Sequence, residues 1–195
     1  VYHLSKVHFA HSQVPFSILI GEGKVDLSNK ELQWSGAKVE FGSSSLLTNG
    51  SWRHSEKSEP FEMMARGRVD LKNLFSLCQS PLLPEEIRSK TKGIENLSGT
   101  GQFSFKGQRL ARDRSFSYEG KLTPKEVYLL PKGISSPLTF RDGVLSFSNL
   151  GVSFSKMRVQ SENSSLTLDG SIKEGCLNLS TWGTIDLKYL HSLLQ

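Results

Sequence analysis

The sequence predicts a mainly β protein: an elongated, curved antiparallel sheet of repeated short amphipathic strands, shaped as an open groove or β-taco, with two short helices. Three observations lead there. Apolar and polar residues alternate with period two along most of the chain, turn-forming residues punctuate the alternation, and blocks of sequence recur downstream.

The alternation begins with Val25-Asp26-Leu27 and Leu32-Gln33-Trp34, and continues through Val39-Glu40-Phe41, Phe61-Glu62-Met63 and Val69-Asp70-Leu71. The middle of the chain carries Phe103-Ser104-Phe105, Phe116-Ser117-Tyr118 and Leu138-Thr139-Phe140. The last third has Leu145-Ser146-Phe147, Val152-Ser153-Phe154, Met157-Arg158-Val159, Leu166-Thr167-Leu168, Leu177-Asn178-Leu179 and Ile185-Asp186-Leu187. Successive side chains of a strand point to opposite faces, so each triplet gives its strand one greasy and one wet face. Antiparallel sheets with a solvated face carry this pattern, whereas buried parallel strands are apolar throughout. It places Leu145, Phe147, Val152, Phe154, Leu166 and Leu168 on one face, away from Ser146, Ser153 and Thr167. Asn49-Gly50, Asp142-Gly143 and Asp169-Gly170 predict tight turns, because these residues tolerate positive φ.

Helical spacing replaces the alternation twice. After Asp70, a good N-cap, Leu71, Leu74, Phe75 and Cys78 share one helical face. Pro81 and Pro84 stop that helix, and Glu85-Glu86-Ile87-Arg88 adds one more turn. After Asp186, Leu187, Leu190 and Leu194 predict a second helix of the same kind. Both helices are expected to pack over an end or edge of the sheet, since their apolar stripes cannot stay in water and strand edges need shielding.

The two helices belong to an internal repeat. Gly23-Lys24-Val25-Asp26-Leu27 aligns with Gly143-Val144-Leu145-Ser146-Phe147, and the same offset carries Ser44-Ser45-Leu46 onto Ser164-Ser165-Leu166 and Asn49-Gly50-Ser51 onto Asp169-Gly170-Ser171. Four residues fewer separate Gly67-Arg68-Val69-Asp70-Leu71-Lys72-Asn73-Leu74 from Gly183-Thr184-Ile185-Asp186-Leu187-Lys188-Tyr189-Leu190. The chain therefore divides into a first β-repeat over 1–95 with its helix near 71–78, a partial middle unit over 96–141 with a basic loop, and a second β-repeat over 142–195 with a C-terminal helix. Stacked repeats of this kind form one continuous body, extended along one direction.

Composition excludes more than it assigns. Lys plus Arg number 24 against 19 Asp plus Glu, for a net charge of +5. Much of the excess lies between Lys106 and Glu126, where Lys106, Arg109, Arg112, Arg114, Lys121 and Lys125 face only Asp113, Glu119 and Glu126. A solvated loop accounts for that run. Arg109, Arg112 and Arg114 are its candidate contacts to an anionic headgroup. No nucleic-acid partner is expected, because neither an aromatic-rich RNA motif nor a recognition helix accompanies the charge. Cys78 and Cys176 are too few for a disulfide scaffold and lack metal-ligand spacing. No apolar run approaches the roughly 20 residues of a membrane-spanning helix. The chain begins at Val1 and ends within an apolar pattern at Leu193-Leu194-Gln195, and reads as a piece of a longer polypeptide.

No catalytic constellation stands out, so no enzyme activity, cofactor or metal site is expected. His3, His8 and His11 are close in sequence, but in a strand the last two point to opposite faces. His54 and His191 stand alone, and no Gly-x-Ser-x-Gly elbow accompanies the many serines. The Glu85-Glu86 pair sits at a helix start, where acids favour the helix dipole. Asn49, Asn96, Asn163 and Asn178 open formal glycosylation sequons, which arise readily by chance in a Ser-rich chain.

The Ser-Ser-Leu-x-x-(Asn/Asp)-Gly-Ser block, followed by a strand and by Gly-x-(Val/Ile)-Asp-Leu-Lys-x-Leu opening a helix, resembles the AsmA-like proteins of the bacterial envelope. That family includes the very large members related to TamB and YhdP. The resemblance covers most of residues 20–195, and Ser136 to Phe147 share its character. It implies a periplasmic segment of an inner-membrane-anchored protein, with the anchor elsewhere and a long β-groove carrying phospholipid toward the outer membrane. Its partners would be phospholipid or another acyl lipid and neighbouring repeats of the same chain. On that reading Leu145, Phe147, Val152, Phe154, Val159, Leu166, Leu168, Leu177, Leu179 and Ile185 line the groove. The alternation alone favours a closed, dry core, as in a structural or adhesive β-scaffold of a secreted repeat protein. The resemblance turns the expectation toward the open groove.

Overall fold

The structure, a computed structural model, describes residues 1–10, 12, 16–54, 59–81, 85–109, 116–134, 136–161 and 164–186. Strands β1 (Tyr2–Leu4), β2 (Val7–Phe9), β3 (Ile18–Ile20), β4 (Gly23–Leu27), β5 (Glu31–Phe41), β6 (Ser44–Arg53) and β7 (Phe61–Asp70) precede helices α1 (Leu71–Cys78) and α2 (Glu85–Lys90). Strands β8 (Ile94–Arg109), β9 (Ser117–Pro131), β10 (Leu138–Arg141), β11 (Val144–Ser148), β12 (Gly151–Ser161), β13 (Ser164–Lys173) and β14 (Cys176–Thr184) follow. Most of the alternating triplets lie in strands: the chain is mainly β, and all pairings among the described residues are antiparallel.

The strands form a single 14-stranded sheet in which β5 through β9 pair in chain order, as do β12 through β14. Between these blocks, β10 and β11 both pair with β9 and β12. They are therefore two segments of one interrupted strand. Asp142 (φ 59°) and Gly143 (φ 74°) form the interruption. This corrects one expected hairpin turn: the positive φ values are present, but they jog a strand rather than reverse it. In the first half β3 and β4 share the flank of β5 in the same way.

Two further expected turns are also corrected. Asn49-Gly50 lies inside β6 and Asp169-Gly170 inside β13. Each Asn or Asp serves a bulge in the neighbouring strand. The register shifts between Trp34 and Ala37 in β5, and between Phe154 and Met157 in β12. At these bulges the backbone N–H of Gly36 donates to Asn49 Oδ1 (2.8 Å), and that of Lys156 donates to Asp169 Oδ1 (3.0 Å). A bulge leaves one main-chain donor outside the ladder, and the side-chain oxygen satisfies it.

The same correspondence runs through the rest of the repeat. Ser44 Oγ accepts from the N–H of Asp70, and Ser164 Oγ from the N–H of Asp186, both at 2.9 Å. Gly67 (φ 154°) and Gly183 (φ 145°) hold the same strained backbone. A Cβ at either would collide with the carbonyl of the facing strand, Ser45 in one copy and Ser165 in the other. The sequence repeat is thus a repeat of hydrogen bonds and backbone angles.

Helix α1 has the bounds its apolar spacing predicts. Asp70 caps it, accepting from the N–H groups of Lys72 and Asn73 at 2.9 and 3.4 Å. Leu71 and Phe75 face inward and are buried. Leu71 forms a buried cluster with Val69 and Val127, joined by Leu46, Leu74, Leu97, Phe103, Leu122 and Phe140. The short α2 carries Glu85 paired with Arg88 and Lys92, both at 2.8 Å. The second expected helix, Leu187–Leu194, lies outside the described residues. Among the described residues no helix is long and apolar enough to cross a membrane.

Replacing Gly67 or Gly183 with Ala should each destabilise the fold by about 2–3 kcal/mol, from strained φ and the carbonyl collision together. Urea denaturation of the two variants checks this, and a loss at only one site would break the equivalence of the copies. The two thiols offer a second check. Cys78 is half-buried, and burial pushes its thiol pKa up, which leaves less thiolate at neutral pH. Cys176 is exposed on β14. Iodoacetamide at neutral pH should therefore label Cys176 well before Cys78, read by peptide mass spectrometry.

Candidate functional site: an uncovered apolar face

Cross-strand register sorts the alternating side chains into two faces of one sheet. On one, Leu145 pairs with Leu122 and Phe154, Phe147 with Gly120 and Val152, and Val159 with Phe140 and Leu166. The row continues with Met157 opposite Leu168, Ile172 opposite Leu177, and Gly170 opposite Leu179. Ser146 pairs with Ser153 and Arg158 with Thr167 on the other face. The face expected for Leu145, Phe147, Val152, Phe154, Leu166 and Leu168 is the face they share.

Cover over this apolar face is partial. Val69, Val127, Met157 and Val159 are buried, the first two clustered with Leu71 of α1. Away from it Leu145, Phe147, Val152, Phe154, Leu166, Leu168 and Ile185 are half-buried, and Leu177 and Leu179 on β14 are 62% and 44% exposed. Ile185 lies just past the end of β14. The chain exposes 13023 Å², against about 9,200 Å² for a compact monomer of its mass. Among the described residues no second sheet packs against the first.

A ladder of aromatic rings crosses this face. Trp34 touches Phe61 (ring centroids 6.2 Å apart), Phe61 touches Phe116 (6.3 Å), and Phe116 touches Tyr118 (6.2 Å). Tyr118 continues to Phe105 (6.5 Å), Phe105 to Phe103 (6.4 Å), and Phe103 to Phe147 (6.1 Å). Phe103 and Phe147 stand two strands apart, about 10 Å of sheet, so their rings reach toward each other over the strand between. Glycine makes that reach available. Gly120 is the cross-strand partner of both Phe105 and Phe147, and Gly50 of Trp34. A Cβ at Gly120 would collide with the Phe147 ring, and one at Gly50 with the Trp34 indole.

The sequence triplets contain these aromatics, but the expected lining covered only the second repeat. Trp34, Phe61, Phe103, Phe105, Phe116 and Tyr118 extend it. One signal was available in Phe105-x-Gly107 and Tyr118-x-Gly120, where glycine falls on the aromatic face of its own strand. Which ring lies over which glycine depends on pairing and could not be read.

The opposite face is polar. A depression of about 720 Å³ lies among residues of β6 to β13, its lining mixing Arg66, Ser104, Lys106, Lys121, Ser146, Ser153 and Lys173 with the apolar Leu47, Met64 and Leu150. Elsewhere on the surface, charges form exposed pairs. The Tyr128 hydroxyl and then Arg141, 2.8 Å away, hold the Glu126 carboxyl below its ordinary pKa; Gln33 and then Arg53 do the same for Glu31. Such exposed pairs contribute little to stability.

Of the basic-loop candidates, Arg109 donates from Nε to the Glu59 carbonyl (3.0 Å) and lies 3.6 Å from its carboxylate. Arg112 and Arg114 lie outside the described residues, as does His11. No group of three or more His, Cys, Asp or Glu that could hold a metal ion occurs among the described residues. No protein-family model, curated protein or solved structure matches this chain.

The contact between Gly120 and Phe147 is open to a double-mutant cycle. Gly120→Ala should cost about 1–3 kcal/mol by overpacking, and Phe147→Ala in the same chain should recover part of that loss. Additive losses in urea denaturation would mean that the ring does not rest on the glycine.

Proposed function

We propose that this chain is a segment of a bacterial envelope protein that binds or conducts phospholipid along its apolar β-face. In this reading the sheet curves into an open groove, the segment is the periplasmic part of an inner-membrane-anchored protein, and lipid passes between inner and outer membranes. The observation that carries the proposal is the apolar face itself. It runs through successive strands, and most of its side chains in β11, β13 and β14 are half-buried or exposed. A protein whose business was a dry core would close that face with a second layer.

The energetics suit acyl chains better than a precise ligand. Covering apolar surface contributes about 25 cal/mol per Å², so an acyl chain hiding about 200 Å² of the ladder gains about 5 kcal/mol. Rings leaning across glycine give a largely apolar lining, in which the Trp34 indole N–H and the Tyr118 hydroxyl are the polar groups of the ladder. The likeness to AsmA-like proteins in the repeated motifs points the same way. Lipid handling of this kind needs no catalytic group, cofactor or metal ion.

Expressed in a bacterium and purified without detergent, the chain should carry phospholipid, seen by native mass spectrometry or by extraction. Phe147→Asp or Phe154→Asp should abolish loading while circular dichroism still reports the sheet. Both side chains are half-exposed, so a carboxylate there can reach water, whereas in a closed core it would be stranded at several kcal/mol. Unfolding of both variants would indicate a dry core. Wild-type protein that emerges free of lipid and refuses fluorescent fatty acids would leave the structural β-scaffold as the reading.

A further inference from the structure

The polar face carries a second site. Its 720 Å³ depression includes Arg66, Lys106, Lys121 and Lys173 in the lining, against Glu119 as the one acid there, a net +3 within a chain of +5. Lys106 lies 3.8 Å from Glu62, but Arg66, Lys121 and Lys173 make no ion pair among the described residues. On the remaining surface, basic residues such as Lys38, Arg53, Arg88 and Arg141 are each matched to a carboxylate. Cations without an ion pair among the described residues also lie elsewhere, Lys30, Arg68 and Lys132 among them, but the hollow gathers Arg66, Lys121 and Lys173 into one lining.

Register shows how these groups are ordered. Arg66 pairs with Ser104, Ser104 with Lys121, Lys121 with Ser146, and Ser146 with Ser153. This is one straight row across the strands, with a cation or a hydroxyl at every step of about 4.8 Å. The adjacent row runs through Lys106, Glu119, Ser148, Gly151 and Lys173. Internal folding does not require this arrangement, since a solvated face is satisfied by paired charges. Cations converging in a concavity with low-dielectric walls raise the local concentration of anions. Guanidinium, ammonium and hydroxyl donors at close spacing match the several oxygens of a phosphate group.

We propose that the depression on the polar face is a binding site for a ligand bearing phosphate groups in series, aligned across the strands over Arg66, Lys121 and the serine row. Its cations and serines stand on the face opposite the ring ladder, and the acyl-chain reading can fail without affecting this one. The phosphates belong either to lipid headgroups at a membrane surface or to a soluble polyphosphate.

The test uses the whole chain and two probes: fluorescent inorganic polyphosphate, read by anisotropy, and vesicles of equimolar phosphatidylcholine and phosphatidylglycerol, read by co-sedimentation. Arg66→Gln with Lys121→Gln should weaken binding to at least one probe by about tenfold or more. Lys30→Gln with Lys132→Gln removes the same charge from exposed turns outside the depression and should change binding by less than about twofold. Both pairs are surface changes, and circular dichroism confirms that each variant keeps its sheet. Selective loss toward polyphosphate assigns a soluble ligand, and selective loss toward vesicles assigns headgroups. Equal losses in the two variants, or no binding of either probe by the wild type, would overturn the proposal.

Discussion

Register is the constraint on which everything else here depends. Along a strand, a slip of one residue would turn every apolar side chain to the wet side. The sequence contains such a slip twice, since Leu32 and Trp34 are even-numbered while Ala37, Val39 and Phe41 are odd, and Val152 and Phe154 give way to Met157 and Val159 with the same change of parity. Each change coincides with a bulge that absorbs one residue. The extra residue lets Trp34 and Ala37, or Phe154 and Met157, stand on the same face. Asn49 and Asp169 complete the device by accepting the bulge N–H from the next strand. Without these two corrections the apolar face would break in the middle of each repeat.

A single sheet with one greasy face is a poor solution in water unless something covers it. Helix α1 covers one region, and there Val69 and Leu71 are almost fully buried at 1% and 2% exposure. Beyond that region aromatic rings take over, lying on glycines of the neighbouring strand and on one another. The arrangement recovers packing within one layer, because a ring over glycine hides main chain that would otherwise face solvent. It does not close the face, and the half-exposed rings are why an apolar ligand is the natural complement. The edge strand β14 shows the unrelieved case, with every residue exposed.

The two faces differ in the chemistry they present. One offers a largely hydrocarbon-like surface with few polar groups, Thr48 and the Trp34 and Tyr118 donors among them. The other offers ordered cations and hydroxyls over a hollow whose lining also includes Leu47, Met64 and Leu150. Alternation makes both at once, since each Phe-x-Phe step on one side is a Ser or Lys step on the other.

Much of this was legible in the sequence for a local reason. Period-two alternation sets the faces from covalent geometry alone, and the capping Asp70 with its helical stripe set α1 to the residue. The repeat was legible because equivalent local conformations call for equivalent residues: Gly67 and Gly183 both sit against a carbonyl of the facing strand. What tertiary structure decided was everything that depends on a partner distant in the chain. Asn49-Gly50 and Asp169-Gly170 have the composition of turns, yet they lie inside strands. Their oxygens are claimed by bulges 13 residues away, and Gly50 is claimed by the Trp34 ring. The aromatic ladder and the serine row likewise exist only once the strands are in register. A residue's own preferences name the conformations it tolerates, and the neighbour across the strand selects among them.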